Sequence, residues 1–159
     1  MDNTVYLALG SNLGDRLANL KRAIAALSPQ MEVKAKSHVY ETPPWGFEDQ
    51  PKFLNQVIQV NTYLAPEPLL KHLKRLEVTL GRKATFPNGP RLIDIDILFY
   101  DDLVLNTPSL EIPHPRLHER GFVLLPLADI APDWVHPVLK KSVGELLASC
   151  NVSDITKLV

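Results

Sequence analysis

An Ile- and Leu-rich run carrying two acids constrains this chain more than any other feature. It reads Gly89-Pro90-Arg91-Leu92-Ile93-Asp94-Ile95-Asp96-Ile97-Leu98-Phe99, opens after a Gly-Pro turn and closes at Tyr100-Asp101-Asp102. That composition predicts a buried strand. Successive side chains of a strand point to opposite faces. Asp94 and Asp96 therefore share one face, and Ile93, Ile95 and Ile97 share the other. Two neighbouring carboxylates repel unless something positive lies between them. A divalent cation is one answer, and Mg²⁺ suits a few carboxylates plus substrate phosphates. An edge strand whose polar face meets water, with Arg91 as ion-pair partner, is another. The acid pair alone leaves both readings open.

On the N-terminal side of this run, strand and helix periods follow one another. Residues 4–9 predict a strand, and residues 10–15 a turn ending in a helix cap. Leu17, Leu20, Ile24 and Leu27 recur at helical spacing, and Pro29 ends that helix. Across residues 31–40, Val33, Ala35, Ser37 and Val39 alternate with Lys34, Lys36 and His38, as in a half-buried strand. Residues 42–52 form a loop with three prolines, and residues 53–62 a third strand. Ala65-Pro66-Glu67-Pro68 starts a second helix, apolar through Leu69, Leu70, Leu73, Leu76 and Leu80 and stopped at Gly81. The order is βαββαβ. Two helices on one face of an antiparallel four-stranded sheet is the ferredoxin-like α+β answer to that order. Beyond it, residues 103–105 predict a short strand, residues 109–120 a loop, and residues 121–130 and 142–149 two short helices. No repeat or linker divides the chain, so residues 1–159 are expected to form one domain with extra C-terminal helices and long loops.

The totals exclude several classes. The chain has 159 residues, 45% of them apolar and 22% charged, as in an ordinary soluble domain. A net charge of −1 gives no basic field for nucleic acid. No apolar run approaches membrane-spanning length, and the start lacks the basic and apolar regions of a signal peptide. A cytoplasmic location is expected. The single cysteine, Cys150, has no internal disulfide partner.

Against this neutral background, positive charge gathers around the acid pair. Arg82, Lys83 and Arg91 precede it, and His114, Arg116, His118 and Arg120 follow. Guanidinium groups pair bidentately with phosphate oxygens. Two acids for a metal and several arginines for phosphates are the equipment of phosphoryl transfer. The competing reading is a solvated loop face. His114-Pro115-Arg116-Leu117-His118 has a metal-like spacing, but Pro115 opposes the helix that zinc would need. Thr42-Pro43-Pro44-Trp45-Gly46 sets an aromatic on a stiff loop, with Phe53 and Asn55 nearby. Rings and an amide suit a flat heteroaromatic ligand.

Taken together these segments resemble a known family. They are Ala8-Leu9-Gly10-Ser11-Asn12-Leu13-Gly14-Asp15, Tyr40-Glu41-Thr42-Pro43-Pro44, Phe53-Leu54-Asn55 and Gly89-Pro90-Arg91 with Asp94-Ile95-Asp96-Ile97-Leu98. Pro113-His114-Pro115-Arg116-Leu117 and Arg120-Gly121-Phe122-Val123-Leu124 with Pro126-Leu127 follow. In order and spacing they are similar to the 6-hydroxymethyl-7,8-dihydropterin pyrophosphokinases of folate synthesis. The resemblance implies transfer of the β,γ-pyrophosphate of ATP to the hydroxymethyl oxygen of the pterin, with release of AMP. It implies that Asp94 and Asp96 hold two Mg²⁺ ions. It places the pterin against Thr42, Pro43, Pro44, Trp45, Phe53, Asn55, Asp94 and Phe122. It places ATP against Lys74, Glu77, Arg82, Arg91, Ile97, His114 and Arg120, with Arg82 and Arg91 as catalytic cations. The implied partners are small molecules only, and the chain is expected to be a monomer.

One segment departs from the family pattern. The family usually reads Gly-Arg-x-Arg, a few residues, then Arg-Trp-Gly-Pro-Arg. Here Gly81-Arg82-Lys83-Ala84-Thr85-Phe86-Pro87-Asn88-Gly89-Pro90-Arg91 is one residue shorter, with Pro87-Asn88 in place of Arg-Trp. Lys74 stands where better-known members have Gln. Arg82, next to the helix stop, is expected to swing with this loop. Two other readings remain at this stage: a relative that binds ATP or pterin with weak turnover, and a ferredoxin-like domain without a small-molecule site.

Overall fold

The computed structural model describes residues 2–44, 46–83, 85–87 and 89–159. Its elements run β1 (Asn3–Ser11), α1 (Arg16–Ala26), β2 (Met31–Lys36), β3 (Tyr40–Thr42), β4 (Phe53–Thr62) and α2 (Pro66–Thr79). They continue with β5 (Asp94–Tyr100), β6 (Leu105–Asn106), β7 (Glu111–Ile112), α3 (Gly121–Ile130), α4 (Val143–Ala148) and β8 (Thr156–Lys157). The βαββαβ order is present, and its sheet is antiparallel. β1 lies between β4 and β5, with Gly10 opposite both Asn55 and Asp94. β4 pairs outward with β2 through its second half and with β3 through its first. β8 extends the sheet beyond β3.

Three elements differ from the sequence expectation. The strand expected over residues 31–40 breaks after Lys36. Ser37 donates its N–H to Val57 O (2.9 Å), and its hydroxyl accepts the Val57 N–H (2.9 Å). That local alternative to the ladder separates β2 from β3. Thr42 then ends β3, fixed opposite Phe53 rather than sitting in the loop. The strand expected over residues 89–99 begins only at Asp94, because the Arg91 N–H and C=O are both bonded to Asn12. Finally, the short strand near residue 105 is half of a hairpin, Leu105 pairing with Ile112.

The sheet is covered on both faces. Val5, Leu7, Leu9, Ile58, Val60, Ile95 and Ile97 pack with Leu20, Leu27, Leu69 and Leu73 of α1, α2 and their flanks. Tyr6, Val57, Leu98 and Phe99 pack on the other face with Leu124 and Leu127 of α3 and Val143 and Leu146 of α4. Leu98 and Phe99 share this second face because the β1–β5 register slips between Tyr6 and Leu7. Such a bulge sets two residues opposite one. Asp94 and Asp96 are four and two residues before Leu98, so they too face the α3 side. No helix among the described residues is long and apolar enough to cross a membrane.

Candidate active site

A cavity of about 740 Å³, counting its open mouth, lies where β1, β4 and β5 meet the start of α3. Its floor is Ala8, Gly10, Asn55, Val57, Asp94, Asp96 and Leu98; Thr42, Pro43, Phe53 and Arg91 form one wall and His114, Arg120 and Phe122 another. Gly10 has a local reason to be glycine. A Cβ there would lie 3.2 Å from Asn55 Oδ1 and 3.7 Å from the Phe53 ring. Asn55 Nδ2 donates to Thr42 Oγ1 at 2.6 Å, which orients the amide from the neighbouring strand. The Arg91 guanidinium lies 5.1 Å from the centre of the Phe53 ring, and that of Arg120 lies 5.6 Å from the Phe122 ring. Each of the two rings thus has a guanidinium over it, and both pairs line the cavity that holds the acid pair.

The acids differ in state. Burial disfavours the Asp94 charge, but Arg91, Arg82 and Lys74 outweigh it and hold this carboxyl below its ordinary range. Arg82 is 2.9 Å from Asp94 Oδ1 and Arg91 is 3.6 Å from Oδ2. Asp96 is pushed up to about 7 by burial and by the charge of Asp94 beside it. A carboxylate pair in which one member resists ionisation at neutral pH is short of positive charge, and its oxygens are the hard donors Mg²⁺ prefers. The residues present therefore fit a hard divalent cation.

The raised Asp96 value fixes the sign of a pH effect. Between 3.8 and about 7 the folded chain keeps a proton at Asp96 that the unfolded chain releases. This group's contribution to stability therefore falls as pH rises through that window. Asp96→Asn mimics the protonated form and is expected to flatten the fall, so thermal melting of the metal-free variant should exceed wild type above pH 7. A variant melting lower there contradicts this electrostatic reading.

Glu77 occupies the buried stripe of α2, one turn beyond Leu73 and two beyond Leu69. A carboxylate in that position must be paired. Its Oε2 accepts the Ile95 N–H at 2.7 Å and lies 3.4 Å from Lys74 Nζ, and Arg82 reaches its Oε1 at 3.0 Å. Burial nevertheless raises its pKa above the usual carboxylate range. Arg82 is therefore clamped between Glu77 and Asp94, at the inner end of its loop, and the expectation that it swings with the loop is corrected. Glu77→Ala is expected to destabilise the fold by roughly 1–3 kcal/mol, the cost of leaving the Ile95 N–H without its acceptor. Chemical denaturation measures this; unchanged stability would show that the clamp does not bear on the fold.

The other sites named from sequence fall into place unevenly. Thr42, Pro43, Phe53, Asn55, Arg91, Asp94, Asp96, His114, Arg120 and Phe122 line the cavity together. Glu77, Arg82 and Lys74 stand behind it at the β5 edge. The Ile97 side chain is only 4% exposed and belongs to the α1/α2 core, on the face away from the cavity. The Ile95 N–H points away from β1 to Glu77, so the two-residue period turns the Ile97 backbone outward as well. Pro44 is half-buried beside Pro43 and outside the lining. The expectation for Trp45 lies outside the described residues. His114 Nδ1 accepts the Arg116 N–H at 3.3 Å, which leaves the ring hydrogen on Nε2. Burial and the nearby Arg120 lower the His114 pKa to about 4, so the ring is neutral at physiological pH. Sequence reasoning missed Ala8, Val57 and Leu98 as floor residues, and Asn12 as a link between loops.

Paired acids that suit a hard cation, arginines over aromatic rings and an amide thus share one cavity. A family model described as 7,8-dihydro-6-hydroxymethylpterin-pyrophosphokinase (HPPK) matches residues 6–132. The chain belongs to this pyrophosphokinase family. It is 47% identical over 142 residues to the 2-amino-4-hydroxy-6-hydroxymethyldihydropteridine pyrophosphokinase of Aquifex aeolicus, covering 89% of each chain. It is 49% identical over 138 residues to the Folic acid synthesis protein FOL1 of Dictyostelium discoideum, covering 87% of this chain and 21% of that one. A crystal structure of Plasmodium falciparum HPPK-DHPS with pteroate superposes with a TM-score of 0.77 at 20% identity, over 92% of this chain and 42% of that one. The chain thus spans about a fifth of the Dictyostelium relative and less than half of that solved structure. The ferredoxin-like fold is shared with these neighbours.

Proposed function

We propose that residues 1–159 act as one pterin pyrophosphokinase domain. It transfers the β,γ-pyrophosphate of ATP to the hydroxymethyl oxygen of 6-hydroxymethyl-7,8-dihydropterin. In that step the hydroxymethyl oxygen bonds to the β-phosphorus, the bond from that phosphorus to the α,β-bridging oxygen breaks, and AMP leaves with the bridging oxygen. The proton of the hydroxymethyl group is lost. One observation carries this reading: Asp94 and Asp96 form the floor of a cavity walled by Phe53 and Phe122, with a guanidinium over each ring. The family membership supports the substrates.

Asp94 and Asp96 would hold two Mg²⁺ ions, which when bound supply neutralisation of the phosphate oxygens. The chain's own groups do the rest. Phe53, Phe122 and Pro43 hold the flat pterin, Pro44 and Trp45 follow Pro43 in the same segment, and Thr42, Asn55 and Asp94 meet the pterin's polar edge. Arg91 and Arg120 lie over those rings, within reach of phosphate oxygens. Neutral His114 offers an Nε2–H donor. Lys74, Glu77, Arg82 and the outward backbone of Ile97 face the nucleotide along the open edge of β5. The domain works as a monomer in the cytoplasm on small molecules alone.

Asn55→Ala is expected to weaken pterin binding by roughly 1–3 kcal/mol, because a polar group of the buried ligand loses its partner. Phe122→Ala is expected to weaken it through lost stacking. ATP affinity should change little in either, as read by calorimetry with a non-hydrolysable ATP analogue and with the pterin. Equal losses for both ligands would show that the pocket is assigned to the wrong substrate. The same titration tests the reading as a whole. Nucleotide binding that needs Mg²⁺ supports it, and no Mg²⁺-dependent binding overturns it.

A further inference from the structure

Asn12 sits in the turn between β1 and α1 and is 1% exposed. Its side chain is not among the described residues lining the cavity. Its Oδ1 accepts the Arg91 backbone N–H at 2.8 Å, and its own N–H donates to the Arg91 carbonyl at 3.1 Å. Its Nδ2 donates to Gln50 Oε1 at 2.8 Å and to Pro51 O at 3.0 Å. One buried residue thereby ties together the turn after β1, the segment that carries Pro43 and Pro44, and the backbone on which Arg91 stands. Gln50 continues the tie by donating to Phe47 O at 2.6 Å. The Phe47 ring meets the Phe86 ring edge-on, with centroids 4.8 Å apart. Phe86 in turn lies against Gly89, where a Cβ would come within 2.8 Å of Phe86 O and 3.0 Å of its ring. The two segments are thus joined at Asn12 and again at the Phe47–Phe86 pair.

Arg91 needs such support. Its residue precedes β5 and lies outside the ladder, so sheet hydrogen bonds do not fix its backbone. Yet its guanidinium must lie at once over Phe53 and beside Asp94. A long side chain is aimed by its Cα, and Asn12 holds that Cα at both backbone groups, its side-chain oxygen accepting the Arg91 N–H and its backbone N–H donating to the Arg91 C=O.

We propose that Asn12 is a positioning residue for the transfer: its amide aims Arg91 at the reacting phosphates and locks that aim to the pterin-binding segment. This rests on the reading of the cavity given above. A displacement on the order of 1 Å at a reacting centre costs on the order of a hundredfold in rate. Asn12→Ala is therefore expected to lower kcat by about ten- to a hundredfold while the affinity for a non-hydrolysable ATP analogue stays within about threefold.

The test is a double-mutant cycle on kcat with Asn12→Ala and Arg91→Ala, beside thermal melting of each variant. If Asn12 acts through Arg91, the double variant is no more than about twofold slower than Arg91→Ala alone. Losses that multiply overturn the proposal and leave Asn12 a purely structural link. Asn12→Asp keeps the oxygen that faces the Arg91 N–H and loses the donor to Gln50 and Pro51. It is expected to hold kcat within about threefold of wild type while raising KM for the pterin. An aspartate variant as slow as the alanine variant, or a slow aspartate variant where alanine fails to fold, also overturns the proposal. A wild-type chain that releases no AMP when given the pterin fails the reading of the cavity instead, whatever Asn12 does.

Discussion

Asp94→Ala and Asp96→Ala are each expected to reduce turnover by at least about a thousandfold, or on the order of 4 kcal/mol of transition-state stabilisation. Both side chains form the cavity floor, whereas their neighbours Ile95 and Ile97 are in the core, so neither change touches the packing of β5. The two variants should nevertheless differ in the absence of ligand. Removing Asp94 leaves Arg82 and Arg91 without the carboxylate they share, and this should lower the melting temperature. Removing Asp96 deletes the group whose ionisation the site opposes, and this should not lower it. Mg²⁺ with an ATP analogue should raise the melting temperature of wild type and leave both variants nearly unmoved. Turnover close to wild type in both variants would eliminate the metal role of the pair.

Arg82→Ala is expected to lower kcat by about a hundredfold or more while changing ATP-analogue affinity far less. Arg82 lies nearer to Asp94 than Arg91 does, 2.9 Å against 3.6 Å, and is 3.0 Å from Glu77. Its contacts in the metal-free chain are with carboxylates that a bound Mg²⁺ would partly neutralise. The guanidinium then becomes available to phosphate oxygens as charge builds on them. A group engaged elsewhere in the ground state contributes mainly in the transition state. Arg82→Lys is not expected to restore the rate, since an ammonium lacks the planar set of donors with which a guanidinium pairs phosphate oxygens. Lys83 is exposed on the loop, and Lys83→Ala should cost only a few-fold, roughly the range of a peripheral charge. Steady-state kinetics beside equilibrium titrations separate these effects. An unchanged kcat in Arg82→Ala would mean that Arg91 and Arg120 neutralise the phosphates alone.

Much of this architecture is legible in the chain itself, because it rests on local rules. The alternation at 53–62 gives β4 in full, and Asp94 and Asp96 share a face for the reason a pleat dictates. Gly81 adopts a positive φ of 110° where the α2 turn ends, as the helix stop requires. What pattern does not show is where local hydrogen bonds replace the ladder. Ser37 takes the Val57 N–H and divides a strand, and Asn12 takes both Arg91 backbone groups and shortens another. Nor does periodicity show that Leu98 and Phe99 face the same way, since a bulge is a register event between two strands. The cavity gathers residues from β1, β3, β4, β5 and α3, and only tertiary packing brings them together. Resemblance supplies Glu77 and Ile97 as nucleotide neighbours. Their placement adds that one is a buried clamp on Arg82 and that the other turns only its backbone toward the open edge.

Product identity tests the central claim most directly. The chain is incubated with ATP and Mg²⁺, with and without 6-hydroxymethyl-7,8-dihydropterin, and the nucleotides are separated and quantified. Pyrophosphoryl transfer predicts AMP formed only when the pterin is present, in equal amount to a pterin product carrying two phosphates. ADP as the pterin-dependent product, or AMP formed equally without the pterin, would contradict it.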